Sequence, residues 1–331
     1  MSIIMLVLVI VLSVVFDFIN GFHDTANSIA TSVSTRVLTP RIATLMSATL
    51  NFVGALVSVN VANTIASGIV FGSLEQYVIA AALCGAIVWN LITWYIALPS
   101  SSSHALIGSL VGAAIVVSGN FKVINWTNIL DKVVIPLFSS PVIGFIIGYF
   151  VMKLIFFILR NAKQKMVNKT FSKLQILSAA LMAYSHGSND AQKTMGIITM
   201  ALISGKIISP NTGIPLYVKL ICALAMALGT SLGGWRIIKT VGMNMIKLQP
   251  VEGFAAETSA AAVIQIMTAM GSPVSTTHVI SSAIMGVGSS KRFSAVNWST
   301  AKSIVIAWFV TFPVTILLGA GFTLIFKLFI H

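Results

Sequence analysis

Long apolar stretches alternate with short polar clusters along this chain, and the clusters recur in pairs. Residues 3–16, 78–98 and 142–159 approach or reach the roughly 20 apolar residues that carry a helix across a bilayer core, and none of them shows the period-two alternation of a half-buried strand. The cluster Asn20-Gly21-Phe22-His23-Asp24 is answered by His186-Gly187-Ser188-Asn189-Asp190, at an offset of 166 residues. Pro99-Ser100-Ser101-Ser102-Ser103-His104 is answered by Pro273-Val274-Ser275-Thr276-Thr277-His278, at 174. Asn125-Trp126-Thr127 pairs with Asn297-Trp298-Ser299, and Pro141 with Pro313, both at 172. Four landmarks in one order at nearly constant spacing mark a duplicated unit.

The pattern predicts an all-α, polytopic membrane protein of two inverted repeats with broken helices and re-entrant hairpins. Transmembrane repeat 1 spans 1–160, a basic cytoplasmic linker 161–173, and transmembrane repeat 2 174–331. Each repeat is expected to start with a helix running into a Gly-broken polar segment. Each closes with a Trp-started span kinked at proline. Residues 106–117 and 279–287 are apolar, rich in Gly, Ser and Ala, and short for a crossing. Such segments fit re-entrant hairpins, which survive only where protein or water shields the backbone. An odd number of crossings per repeat turns the two halves over relative to each other, with both termini outside and the linker inside. Lys122 in the first half against Lys291-Arg292 in the second gives this slight support.

Composition removes several function classes. Hydrophobic residues make up 57% of the chain and charged residues 8%, which excludes an ordinary soluble domain. The net charge of +13, from 20 basic against 7 acidic residues, would suggest nucleic acid in a soluble protein. Here the basic residues sit between apolar segments, and no nucleic-acid partner is expected. Their densest group, Arg160, Lys163, Lys165, Lys169 and Lys173, marks a cytoplasmic loop in a cell-membrane protein. No Lys or Arg precedes the first apolar run, so it reads as a retained helix rather than a cleavable signal. Cys84 and Cys222 lie in apolar sequence outside any CxxC pattern and read as inert thiols.

The seven carboxylates are unevenly placed. Glu75, Asp131 and Glu252 read as loop or helix-end residues, while Asp17, Asp24, Asp190 and Glu257 lie in or against apolar spans. A charge at the bilayer centre costs at least about 2.5–3.5 kcal/mol, so such residues usually face a polar cavity. Asp17 fits a capping or paired role as well as a functional one. Asp24 and Asp190 follow glycine at matching positions of the two halves, which marks them as cation ligands. Asp24 and Asn27 share a helix face, and their oxygens suit a hard cation such as Na+. Lys193 stands where the first copy has Asn27, and three readings are open: a pair with a carboxylate, a snorkel to the surface, or contact with an anionic substrate.

Ser101, Ser102 and Ser103, like Ser275, Thr276 and Thr277, follow a proline and open an apolar helix. One hydroxyl of each row suits an N-cap. Three exceed what a cap needs, and with free N–H groups they make an uncharged cradle for an oxyanion. His104 and His278 have two readings, a proton relay or a hydrogen bond fixing the hairpin. No His or Cys spacing indicates a metal site beyond the coupling cation. Glu257 faces Leu83 under the repeat offset, so a site there belongs to one half only. An intramembrane hydrolase is excluded by the Ser103-His104 adjacency and by the absence of a G-x-S-x-G elbow. A passive anion channel stays open as an alternative.

At these motifs the chain resembles the inorganic phosphate transporter family, in its bacterial and archaeal form. The resemblance rests on Gly21-Phe-His-Asp24-Thr-Ala-Asn27-Ser, His186-Gly-Ser-Asn-Asp190-Ala-Gln-Lys193-Thr-Met-Gly196, Gly253-Phe-Ala-Ala-Glu257 and Pro273-Val-Ser-Thr-Thr-His278. It implies a symporter that imports phosphate with Na+ or H+ as coupling ion, without an organic cofactor or enzymatic reaction. It places the cations at Asp24, Asn27, Asp190 and Glu257, and phosphate at Asn27 and the two hydroxyl rows. The chain departs from the common pattern at Phe22-His23 and at Ser101-Ser-Ser, and its basic linker is short. Some relatives carry sulfate, which makes sulfate the alternative anion. Membrane lipid is the surrounding partner. A homodimer and a cytoplasmic accessory protein docking on the linker are both compatible with the sequence.

Overall fold

A computed structural model describes residues 3–72 and 74–330. Thirteen α-helices carry these residues: α1 (Ile3–Ser34), α2 (Pro40–Val57), α3 (Asn60–Gly68), α4 (Gln76–Tyr95), α5 (Ser102–Ser118), α6 (Trp126–Ile129), α7 (Ile135–Ile158), α8 (Gln164–Ser204), α9 (Leu216–Leu232), α10 (Trp235–Lys239), α11 (Pro250–Ala269), α12 (Thr276–Lys291) and α13 (Trp298–Ile330). A π-helical turn at Leu130–Val134 joins α6 to α7, so residues 126–158 form one long helical run that matches α13. The order of elements therefore repeats: long helix, broken pair, hairpin, Trp-started span. Pro141 and Pro313 both lie inside continuous helix.

Among the described residues, five helices are long and apolar enough to cross a membrane, or six if α9 and the bent segment after it, turned by 62°, count as one span. The 41-residue α8 is not among them, although at 1.5 Å per residue it extends about 60 Å. Its first turns carry exposed Gln164, Lys165, Lys169 and Lys173, and its later polar residues, such as Gln175, His186, Asp190 and Lys193, are buried in protein; both lower its hydropathy without shortening it. The outer helices show the converse pattern. Along α7, Phe138, Val142, Ile146, Phe150, Leu154 and Phe157 are exposed at a spacing of three or four, a continuous apolar stripe suited to lipid. The opposite face, Pro141, Gly144, Gly148 and Met152, is buried against α12.

The helices exchange partners across the duplication. α1 packs on α9, and α2 on α8; α5 packs on α13, and α12 on α7. Each hairpin is a pair, α4 with α5 and α11 with α12, whose short second helix returns along the first. Both tips are buried deep in the protein, at Ser100–Ser103 and at Ser272–His278.

Two expectations are corrected here. Neither Gly21 nor Gly187 breaks its helix: α1 and α8 run through them without interruption. A Cβ at Gly21 would strike the backbone of Met226 and Thr230 in α9, and a Cβ at Gly187 the backbone of Asn51 in α2. Gly229 and Gly54 stand on the opposing sides of the same crossings. These glycines let two helix backbones approach closely. The basic segment 161–173 is likewise not a loop. Only residues 159–163 connect α7 to α8, and Lys165, Lys169 and Lys173 belong to the first turns of α8.

Candidate functional site

The close crossings of α1 and α8 with their neighbours set Asp24 and Asp190 in the interior, each one turn beyond its glycine. Both are buried, and one ligand atom from each of Asp24, His186 and Asp190 lies within 4.8 Å of the others. His186 precedes Asp190 by one turn of α8, and its Nε2 is 3.4 Å from Asp190 Oδ2. Its other ring nitrogen, Nδ1, is 3.1 Å from Asn51 Oδ1, while Asn51 Nδ2 donates to Thr230 Oγ1 at 2.9 Å. With Asn51 oriented by Thr230, Nδ1 carries the proton and the Nε2 lone pair faces the carboxylates. A lone pair and two carboxylates converging on one point suit a bound cation, and Asn51 supplies the outer hydrogen bond that orients such a ligand.

Each carboxylate is tied to the opening turn of one hairpin helix. Ser102 donates to Asp24 Oδ2 at 2.9 Å, and Thr276 to Asp190 Oδ2 at 3.2 Å. His23 Nδ1 donates to Asp24 Oδ1 at 2.6 Å and is backed on Nε2 by Thr93 Oγ1 at 3.1 Å. Lys193 Nζ donates to Asp190 Oδ1 at 2.6 Å, so of the three readings for this lysine the structure shows the carboxylate pair. Asn27 joins the two repeats directly, donating from Nδ2 to Thr276 Oγ1 at 3.2 Å and to Thr277 Oγ1 at 2.9 Å.

The hydroxyl rows divide their work. Ser101 and Ser275 are N-caps, each accepting from the backbone N–H of the histidine three residues on at 3.2 Å. Ser102, Thr276 and Thr277 face the carboxylates and Asn27. Ser103 donates to Val274 O at 2.9 Å, which joins one tip to the other. The N–H groups of the first helical residues have no intrahelical acceptor, and no acidic side chain occupies the first turn of α5 or α12. Two positive helix ends thus open beside two carboxylates in one buried space.

His104 and His278 make no hydrogen bond through either ring nitrogen, so the fixing hydrogen bond expected for them is not what holds the tips. Their rings stack on each other at 5.2 Å between centroids, and His278 stacks on Trp308 at 4.3 Å. Glu257 does not join the Asp24–Asp190 group. It accepts from Thr31 and Ser178, with Gln175 Nε2 at 3.4 Å, in a polar cage of its own. Thr31 lies seven residues beyond Asp24 on α1, about 10 Å of helix rise away.

Sequence reasoning missed His186, His23 and Asn51 as members of the site. His186 occupies the place of Asn20 in the repeat, a hint that the motif comparison contains. Asn51 lies in a plain apolar stretch and carries no signal of its own. Gln192, also missed, caps the interrupted α3: its Oε1 accepts from the N–H groups of Val61 at 2.8 Å and Ala62 at 3.2 Å.

Comparison with known proteins places the whole chain in a family. Residues 20–319 match the model of the Phosphate transporter family. A Bacillus subtilis protein named "Probable low-affinity inorganic phosphate transporter" is 50% identical over 284 residues, covering 85% of each chain. A Rhizobium meliloti protein of the same name is 46% identical over 283 residues, covering 85% of this chain and 84% of that one. A solved structure titled "The sodium-dependent phosphate transporter" superposes with a TM-score of 0.86 at 26% identity, covering 98% of this chain and all of the other. The paired Asp motifs, the serine and threonine hairpin tips and a match running nearly end to end lead to one assignment: this chain belongs to the phosphate transporter family.

Proposed function

We propose that this protein is a secondary symporter that carries inorganic phosphate into the cell together with Na+. The observation that carries the reading is the convergence of Asp24, His186 and Asp190, with both carboxylates hydrogen-bonded to the N-terminal turns of the two hairpins. Those turns, with Ser102, Thr276, Thr277 and Asn27, are the place for phosphate. A phosphate dianion cannot rest beside two carboxylates in a low-dielectric interior unless positive charge accompanies it. Na+ held by Asp24 and Asp190 removes that repulsion, so phosphate binds only where the cation is already in place. Carboxylate oxygens suit a hard cation, and a similar solved protein bears a sodium-dependent title. Glu257, with Thr31, Gln175 and Ser178, is a further cation station nearer one end of α1.

The site residues are nearly inaccessible to solvent, Asp190 at 0% and Asp24 and Asn27 at 2% exposure, which is the occluded arrangement of an alternating-access cycle. In this reading the two repeats are inverted, and release follows when one hairpin tip withdraws from the other. Phosphate uptake into proteoliposomes, with Na+ and pH gradients imposed separately, tests the proposal. Uptake driven by Na+ and competed weakly by sulfate is expected. Flux that persists without any cation gradient would establish a channel, and preference for sulfate would change the substrate.

A further inference from the structure

The two repeats differ at two charged positions, and the structure brings these together. At the 166-residue offset, Asn27 corresponds to Lys193 and Asp17 to Ala183. Repeat two has gained an ammonium, and repeat one a carboxylate. Asp17 lies two turns before Asp24 on α1, Lys193 one turn after Asp190 on α8, and these helices pack on each other. The two helices run antiparallel, with Thr35 hydrogen-bonded to Gln175 and Asp24 meeting His186 and Asp190, so the same register sets Asp17 beside the turn that carries Lys193 and Thr194. Both Asp17 and Lys193 are completely buried.

Their hydrogen bonding is lopsided. Lys193 is engaged with Asp190 Oδ1, while neither oxygen of Asp17 has a hydrogen-bond partner among the described residues. Asn20, one turn on from Asp17, has both amide atoms unpaired among the described residues, and the hydroxyl of Thr194, which follows Lys193 on α8, is unpaired there too. Buried polar groups are rarely left in this condition. An ammonium has three N–H donors on a flexible four-carbon stem, and Asp17, the Asn20 carbonyl and Thr194 offer three acceptors.

We infer that the Lys193 ammonium is a tethered cation that stands in for one diffusible coupling ion on Asp190, with Asp17, Asn20 and Thr194 as its second seat. The inference rests on the reading of Asp24, His186 and Asp190 as the cation site. When Na+ arrives there, Lys193 leaves Asp190 for Asp17; when Na+ departs, Lys193 returns. The interior never holds an uncompensated carboxylate at Asp190, and the cycle uses one Na+ fewer than a symmetric pair of Asp-x-x-Asn motifs would.

The test uses the full-length protein with three variants: Lys193→Asn, Asp17→Asn and the double variant. Thermal stabilisation of purified protein is titrated with Na+ alone, and phosphate uptake in proteoliposomes is titrated with Na+. K193N is expected to bind Na+ more steeply and to consume one more Na+ per phosphate. D17N is expected to lose uptake, because the ammonium stays locked on Asp190, and the double variant to regain it with the steep Na+ dependence of K193N. Wild-type Na+ dependence in both K193N and the double variant, or a D17N defect that the second change does not relieve, would overturn the inference. So would failure of the charge-matched double variant to fold, since the pair would then be a structural link. The Na+ titration needs no phosphate, so it reads this device even if the proposed substrate is wrong.

Discussion

In the proposed mechanism Asp24 and Asp190 hold the coupling cation, and each can be probed without altering shape. Asp24→Asn and Asp190→Asn keep the volume and remove the charge, and each should abolish Na+-coupled uptake while the protein still reaches the membrane. Normal uptake in either variant would refute the cation site. Glu257 gives a contrast, because it stands apart from that pair. Glu257→Gln should shift uptake to higher Na+ concentration with phosphate affinity little changed, which a two-way titration of Na+ and phosphate would show. Ser101 and Ser275 cap their helices, so Ser101→Ala should cost about 1 kcal/mol of stability, as a lost N-cap does. A melting measurement on the purified protein checks this, with the affinity for phosphate retained.

At the scale of elements, the glycines explain how two long helices deliver polar side chains to one point. Gly21 with Gly229, and Gly187 with Gly54, bring backbones into contact and thereby fix the rotation of α1 and α8. A methyl at Gly21 has backbone atoms, not a flexible side chain, in its way. Gly21→Ala should therefore cost about 1–3 kcal/mol, the usual range for overpacking, and Gly21→Leu should prevent accumulation of folded protein. Both are read by detergent-solubilised melting and membrane yield. From sequence alone a glycine that bends a helix and a glycine that lets two helices cross closely look the same. Only the position of α9 and α2 distinguishes them.

At the scale of the molecule, the partner exchange between repeats makes the two hairpin tips meet near the middle. Ser103 donates to Val274 O, and the two histidine rings stack behind them. The proposed alternating access needs this contact to open. Cysteines at 103 and 274, introduced after Cys84 and Cys222 are replaced by alanine, should cross-link with a short thiol-specific reagent and stop uptake, and reductant should restore it. Uptake that continues in the cross-linked protein would show that the tips do not part during the cycle.

Much of this molecule was legible from its residues alone. Hydropathy declared a membrane protein, because a chain with this much apolar surface has no other solvent that suits it. Duplication emerged from spacing, and Asp24, Asp190 and the hydroxyl rows from the cost of placing polar groups in apolar sequence. Tertiary structure decided the rest, since it concerns which helix face meets which neighbour. It placed Asn51 behind His186, set Glu257 in a cage apart, stacked His104 on His278, and turned the basic linker into the start of α8. Those pairings join residues far apart in the chain, and local pattern carries no record of the rotation and depth at which two helices cross.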